Sequence, residues 1–377
     1  MRVALTYPHV NLRGGIERVV VESANHLAGS GHEVHVFGAS FDGDVLDEAV
    51  VTHAVQTPAR PDALFTVEFR RRCTIALAKH WPDWEVHGSF SAMSPLGGVY
   101  WCPSVHREAV ATMVGRRGAT GRLVQAVNPY HVVRLRMERE LLGPGGYASI
   151  IALTDRVKEE IVHWYDVPPE DVAVQPQGYD PHRFNAARRA ELRGLVRQEL
   201  GIEDDERVVV FVANELERKG FDTLVAAVAR MADRPRLLAV GRLDPARCRA
   251  LAERHGVADR LICTGSTDDP ARFHAAADVF ALPSRYEPWG LVVVEALGSG
   301  LPVVTTQLTG AARAVQDGVT GRLLDDADDP AELAAGLEWA LGDGPADPGT
   351  ISASVSWLAW ENVIVRYAEL LAAPRER

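Results

Sequence analysis

Lysine is nearly missing from this chain. Lys79, Lys158 and Lys219 are the three present, so arginine carries almost all the positive charge and each lysine stands out as a specific choice. Cysteine is scarce too. Cys73, Cys102, Cys248 and Cys263 lie far apart without a C-x-x-C pair, which argues against a disulfide framework or a zinc site. No apolar run approaches the ~20 residues of a membrane span. Met1–Pro8 is too short an apolar stretch for a signal peptide and reads as a first strand. An excess of positive charge is also absent. The net charge of -11 disfavours non-specific nucleic-acid binding. No G-x-G-x-x-G follows the first strand, which disfavours a dinucleotide-dependent dehydrogenase. A cytoplasmic protein without nucleic-acid partners is expected.

What is present is an alternation. With 377 residues, two domains of roughly 150–200 residues are favoured. Short β-branched runs alternate with helix-like stretches, the pattern of parallel α/β units. The first half offers strands at Val3–Thr6, Glu33–Phe37, Val51–Val55, Glu85–His87, Gly98–Trp101, Ser149–Leu153 and Val172–Gln175. The second offers Val208–Val212, Leu237–Val240, Leu261–Thr264, Val279–Leu282, Val303–Thr305 and Arg322–Leu324. The turn-rich Pro176–Pro181 breaks the series, and an arginine-rich helix, Ala186–Leu200, follows it. Domains are therefore expected at 1–183 and 184–354, with 355–377 as a terminal segment. Its helix, Trp357–Leu371, has a wide apolar face that needs a partner surface.

The chemistry-bearing residues sit after strands. Val279–Leu282 runs into a Pro- and Gly-containing loop holding Glu287, and a helix begins near Gly290. Ligands of open parallel sheets bind at the carboxyl ends of strands, and helix N-termini favour phosphate. Glu295 lies one turn beyond Leu291 on the same face, where a carboxylate can accept hydrogen bonds from a vicinal diol. Glu287, across the helix start, can hold the hydroxyls of a second sugar. After Val208–Val212 come Arg218 and Lys219, adjacent cations suited to neutralising a diphosphate. Gly14 and Gly15 precede the first helix and permit close backbone approach to an anion. His106 and the Ser266–Thr267 pair are further strand-end candidates. Taken singly, each also reads as a solvated group, a helix start or a structural histidine. Asp326-Ala327-Asp328 matches D-x-D formally but reads as a solvated acidic run.

In this order, these pieces resemble the GT-B-fold retaining glycosyltransferases of family GT4, and the resemblance covers almost the whole chain. Arg218-Lys219-Gly220, the Asn128-Pro129-Tyr130-His131…Glu138 pattern and Gln177-Gly178-Tyr179-Asp180…Phe184 carry it. The chain looks similar to lipopolysaccharide core glucosyltransferases and their actinobacterial relatives. The resemblance implies two Rossmann-like parallel-sheet domains facing a central cleft, the first for the acceptor and the second for the donor. The terminal helix would cross back to the first domain. It implies a hexosyl transfer with retention from a nucleotide sugar, a UDP-sugar before GDP-mannose, without cofactor or metal. Glu295 would bind ribose and Glu287 the donor sugar. The amides of Trp289, Gly290 and Leu291 would hold sugar hydroxyls and phosphate. Arg218 and Lys219 would bind the diphosphate with Gly15, and His106 would lie near the reacting centre. Three departures stand out: Ala213-Asn214 where Gly-Arg is frequent, Thr309-Gly310-Ala311-Ala312-Arg313 where a G-G-x-x-E occurs, and Gln177 for asparagine.

Two other readings remain open from the residues: a nucleotide-sugar epimerase of similar fold and a non-catalytic nucleotide-sugar-binding protein. The acceptor, whether sugar, glycolipid or natural product, is not specified. Arg107, Arg116, Arg117, Arg122, Arg134, Arg136 and Arg139, with Arg70–Arg72 upstream, form a basic stretch. It suits an anionic acceptor or peripheral contact with an anionic membrane, and equally a solvated helix face.

Overall fold

The computed structural model describes residues 1–12, 14–58, 62–79, 84–116 and 128–373. Arg117 and Arg122, the Arg116 side chain, and Arg13 beside the glycine pair lie outside what is described. The chain forms two compact units: Met1–Gln177 together with Glu361–Arg377, and Gly178–Trp360.

The first unit holds β1 (Arg2–Thr6), β2 (His9–Val10), β3 (Glu33–Gly38), β4 (Ser40–Phe41), β5 (Val51–Ala54), β6 (Val86–Ser89), β7 (Gly98–Cys102), β8 (Tyr147–Ala152) and β9 (Val172–Val174). Seven of these make a parallel sheet in the order β5-β3-β1-β6-β7-β8-β9, and β2 pairs with β4 beside it. Every residue of β6 and β7 is buried. A parallel strand covered by helices on both faces cannot alternate polar with apolar, so it reads as a continuous run.

The second unit holds β10 (Val208–Val212), β11 (Arg236–Val240), β12 (Leu261–Gly265), β13 (Val279–Leu282), β14 (Val303–Thr306) and β15 (Gly321–Leu324). Their order is β12-β11-β10-β13-β14-β15, again all parallel. In both sheets the strand order reverses once, between β1 and β6 and between β10 and β13. The loops leaving the two strands at such a reversal run to opposite faces and leave a crevice at their carboxyl ends.

Each expected strand has a counterpart, with ends shifted by a residue or two. The pair β2 and β4 went unread because two residues carry no period. The last helix runs Trp360–Ala372 rather than from Trp357. Ser356–Leu358 is a separate 3-10 turn, because the Tyr179 amide bonds the Leu358 carbonyl at 2.9 Å and the Trp360 amide bonds the Tyr179 carbonyl at 2.9 Å. That bridge spends on Tyr179 the groups a helix would need. From Val363 to Leu371 the helix buries its apolar face in the first unit, with Tyr367 and Trp101 ring centroids 6.3 Å apart. No helix among the described residues is long and apolar enough to cross a membrane.

The core of the second unit buries one titratable ring completely. His274 lies between Phe184 and Phe280, with Nδ1 3.3 Å from the Ser299 hydroxyl. Burial first, then the charge of Arg189, pushes its imidazole down to about 3. The unfolded chain takes up this proton below pH ~6.5 while the native state refuses it. The stability His274 provides is thus complete above pH ~6.5 and is lost as the pH falls toward 3. His274→Phe should flatten the decline of the urea midpoint between pH 7 and pH 4.5. An unchanged slope would show that other groups set it.

Candidate active site

At the reversal in the second unit, two loops meet. Leaving β10, the chain runs through Ala213–Glu217 to Arg218, Lys219 and Gly220, where the helix Phe221–Arg230 begins. Leaving β13, it runs through Pro283–Trp289 to Gly290, where the helix Leu291–Gly298 begins. Gly220 has φ +72°, and a Cβ there would lie 2.1 Å from the Pro283 carbonyl oxygen. Only glycine lets the two loops touch in this way. The contact is reinforced by the Arg285 amide, which bonds the Arg218 carbonyl at 2.9 Å.

Three predicted residues come together there. Lys219 Nζ is in direct contact with Glu287 Oε2. Arg218 Nη1 donates to the Tyr286 carbonyl at 2.8 Å and reaches Glu287 Oε2 at 3.4 Å, while its Nε donates to Glu215 at 3.0 Å. The Lys219 and Glu287 side chains are only 11% and 12% exposed, so neither charge is well solvated. Burial first, then the charge of Arg218, pulls the Lys219 ammonium below its usual value, and Glu215 works against both. The Glu287 carboxylate in contact is the counter-charge that makes this burial tolerable.

The other predicted donor residues follow along the same segment. The backbone of Glu287–Trp289 is clamped: the Glu287 amide bonds the Leu308 carbonyl at 3.2 Å, and Gly310 and Ala311 bond back to Glu287 and Trp289 at 2.8 and 2.7 Å. Gly290 takes φ +88°, and a Cβ there would press at 3.0 Å on Glu287 Cγ and Thr309 Cγ2. The Trp289 ring is buried with its Nε1 unpartnered. Leu291 opens the helix, and Glu295 lies one turn on, almost wholly buried. Ser266 and Thr267 follow the edge strand β12 and share no described bond with this group. The Thr267 hydroxyl instead accepts the Asp269 amide at 3.0 Å.

Two of the sequence departures acquire a local task. Asn214 Oδ1 accepts the Arg242 amide at 3.0 Å, tying the loops after β10 and β11. Gln177 Nε2 donates to the Gly15 carbonyl, within the first unit. Asp328, exposed as expected, also binds Arg285 at 2.7 Å. Arg285 also holds Asp222 at 2.8 and 2.9 Å and the Thr223 hydroxyl at 3.2 Å. This buried arginine locks the β13 loop to the start of the helix Phe221–Arg230. No role was read for it, since nothing local marks an arginine as interior.

The first unit has its own cluster. Gly14 is the N-cap of the helix Gly15–Gly29, and the Glu17 carboxylate folds back over it, so a Cβ at Gly14 would lie 2.1 Å from Glu17 Oε2. The Tyr7 hydroxyl meets Glu17 at 3.4 Å. His106 opens the helix His106–Arg116. The amides of His106 and Arg107 donate to the buried Glu138 carboxylate at 2.6 and 3.1 Å, and the Tyr165 hydroxyl donates to it as well. A carboxylate so placed satisfies orphan helix amides and complements the dipole. Burial raises the Glu138 carboxyl above its usual value, opposed by Tyr165 and the two amides.

Glu138 belongs to the helix Pro129–Leu141, capped by Asn128 on the Tyr130 amide at 3.0 Å. The Asn-Pro-Tyr-His…Glu pattern is therefore a cap, a helix start, two rings and a brace. The His131 ring stacks on His106 at 5.2 Å, with His106 Nε2 3.1 Å from His131 Nδ1. Burial first, then Arg134 and His131, pushes the His106 imidazole down to about 4, so His106 is neutral at pH 7.

Two family descriptions match the chain: Glycosyltransferase Family 4 over residues 13–183 and Glycosyl transferases group 1 over residues 193–351. The chain is 27% identical over 336 residues to the lipopolysaccharide glucosyltransferase WaaG of Escherichia coli (strain K12), covering 88% of this chain and 87% of that one. It is 30% identical over 370 residues to a D-inositol 3-phosphate glycosyltransferase of Mycobacterium sp. (strain KMS), covering 91% and 81%. The crystal structure of WaaG superposes with a TM-score of 0.82 at 24% identity, covering 99% and 100% of the two chains. Anabaena HepE in complex with UDP and glucose superposes at 0.75 and 18% identity, covering 99% and 100%. The fold is GT-B, as the resemblance implied.

Removing one partner of the buried pair should be costly. Glu287→Gln strands the Lys219 ammonium, with an expected loss of about 3 kcal/mol in urea unfolding. Lys219→Met added to it should recover most of that loss. Additive losses in the double variant would rule out the coupling.

Proposed function

This chain belongs to glycosyltransferase family 4, and from that premise we propose that it moves a hexosyl unit from a nucleoside-diphosphate sugar, foremost a UDP-sugar, to an acceptor hydroxyl with retention of anomeric configuration. The observation that carries the donor reading is the contact of Lys219 and Arg218 with Glu287 at the strand-order reversal. Two fixed cations stand where a crevice of this sheet type takes its ligand. A left-handed glycine then starts a helix whose first amides have no intrahelical acceptor.

In this reading the diphosphate lies along Arg218, Lys219 and that helix start. Glu295 accepts from the ribose diol and Glu287 from the transferred sugar. The leaving diphosphate is neutralised by side chains and amides rather than by a metal ion. Such preorganised contacts act most strongly as charge develops on the leaving oxygen, and each is worth roughly 10²–10³-fold in turnover. The departing phosphate oxygen takes the proton of the acceptor hydroxyl on the same face of the sugar, giving retention. His106, neutral near pH 7, can donate or accept a hydrogen bond without itself carrying charge.

Arg218→Gln should lower kcat by roughly 10²–10³-fold with its melting temperature nearly unchanged, because the pair of Lys219 and Glu287 is kept. A donor panel followed by nucleotide release identifies the base and sugar. NMR of the product's anomeric centre decides the stereochemistry: a β-linked product from an α-linked donor would exclude retention.

A further inference from the structure

Arg218 meets two carboxylates on different edges of its guanidinium. Nη1 donates to the Tyr286 carbonyl at 2.8 Å and reaches Glu287 at 3.4 Å. The Nε–Nη2 edge belongs to Glu215, whose Oε2 accepts from Nε at 3.0 Å and whose Oε1 accepts from Nη2 at 3.3 Å. Two parallel hydrogen bonds on that edge are the arrangement in which an arginine takes a phosphate as readily as a carboxylate.

The two carboxylates are held very differently. Glu287 is nearly buried against Lys219, and its backbone is fixed to Leu308 and Gly310. The Glu215 side chain is 57% exposed. Its chain neighbours are anchored: Asn214 Oδ1 accepts the Arg242 amide at 3.0 Å, and the carbonyl of the buried Leu216 accepts the Phe221 amide at 3.0 Å. Glu215 can therefore swing away by side-chain rotation while the loop stays in place. An exposed ion pair is weak, because water solvates both partners once they part. Burial works to raise the Glu215 carboxyl, but the hydrogen bond from Arg218 and the charges of Arg218 and Lys219 hold it below its usual value. It is an anion at neutral pH, and left in place it would repel a diphosphate lying on Arg218.

We propose that Glu215 is a specificity-determining counter-ion of the donor site: it occupies the Nε–Nη2 edge of Arg218 until a phosphate of the nucleoside diphosphate takes that edge, and it then turns out to solvent. The exchange admits a ligand that brings its own negative charge to Arg218. A nucleoside without phosphate cannot drive it. The inference rests on the nucleotide-sugar reading for the identity of the ligand; the exchange of one anion for another on Arg218 does not.

The test compares the whole chain with Glu215→Gln, an exposed and nearly isosteric change that should leave the melting temperature unaltered. Calorimetry should show UDP bound roughly tenfold more tightly by the variant, with uridine unchanged. Weaker or equal UDP binding would mean that Glu215 serves to orient Arg218, and would overturn the proposal. Equal tightening of uridine would overturn it too, since the effect would not pass through phosphate. The second readout is the Arg218 Nε–H signal in chains carrying nitrogen-15 arginine, assigned by its loss in Arg218→Gln. Wild type and Glu215→Gln should differ in this signal when free and coincide when saturated with UDP. Signals that still differ in the complex would show Glu215 retained on Arg218, against the proposal. Failure of the wild-type chain to bind UDP would instead sink the nucleotide-sugar reading. The same signal titrated with inorganic pyrophosphate would then decide the exchange by the same criterion.

Discussion

A buried lysine needs a counter-charge, and in the second unit that need is met across the reversal in strand order. Lys219 comes from the loop after β10 and Glu287 from the loop after β13. Much of the surrounding structure follows from holding those two loops together. Gly220 is glycine because the Pro283 carbonyl lies against it, and Gly290 because the Glu287 side chain and Thr309 crowd it. Arg285 anchors the Glu287 loop to Asp222 and Asp328 from the far side. Backbone bonds to Leu308–Ala311 prevent the Glu287 loop from drifting away from the pair. The cost of desolvating two charges is thereby spread over a rigid frame rather than recovered from one contact.

The first unit solves a related problem differently. There a carboxylate, Glu138, is buried against amides instead of a cation, and it fixes where the helix carrying His106 begins. The same helix that brings Glu138 brings His131 against His106. Ring and brace thus descend from one segment, Pro129–Leu141, so their spacing is set by helical geometry rather than by a loop.

The sheets were legible because parallel strands covered on both faces leave an uninterrupted β-branched signature, as in Val208–Val212 and Val279–Leu282. Strand order was not, since no local pattern says which runs are neighbours. For that reason Lys219 and Glu287 were each readable as charged residues after strands, while their contact was not. Arg285 and Glu138 carried no readable role in the sequence, because their tasks depend on partners from other elements. The pairing of the exposed Asp328 with Arg285 was hidden for the same reason. The start of the terminal helix was misplaced because a bridge to Tyr179, a tertiary bond, overrode a helical period that continues through Trp357.

The chain enters the second unit after Gln177 and returns to the first after Trp360. The core of the first unit contains Tyr367 against Trp101, and Leu371 lies within reach of Gly88. Those residues leave the ribosome after the whole of the second unit. The order of completion is therefore the reverse of the order of synthesis: the later-encoded unit has all its residues first, and the earlier one waits with an open apolar face until the final helix arrives. During that interval the unfinished unit is the one at risk of aggregation.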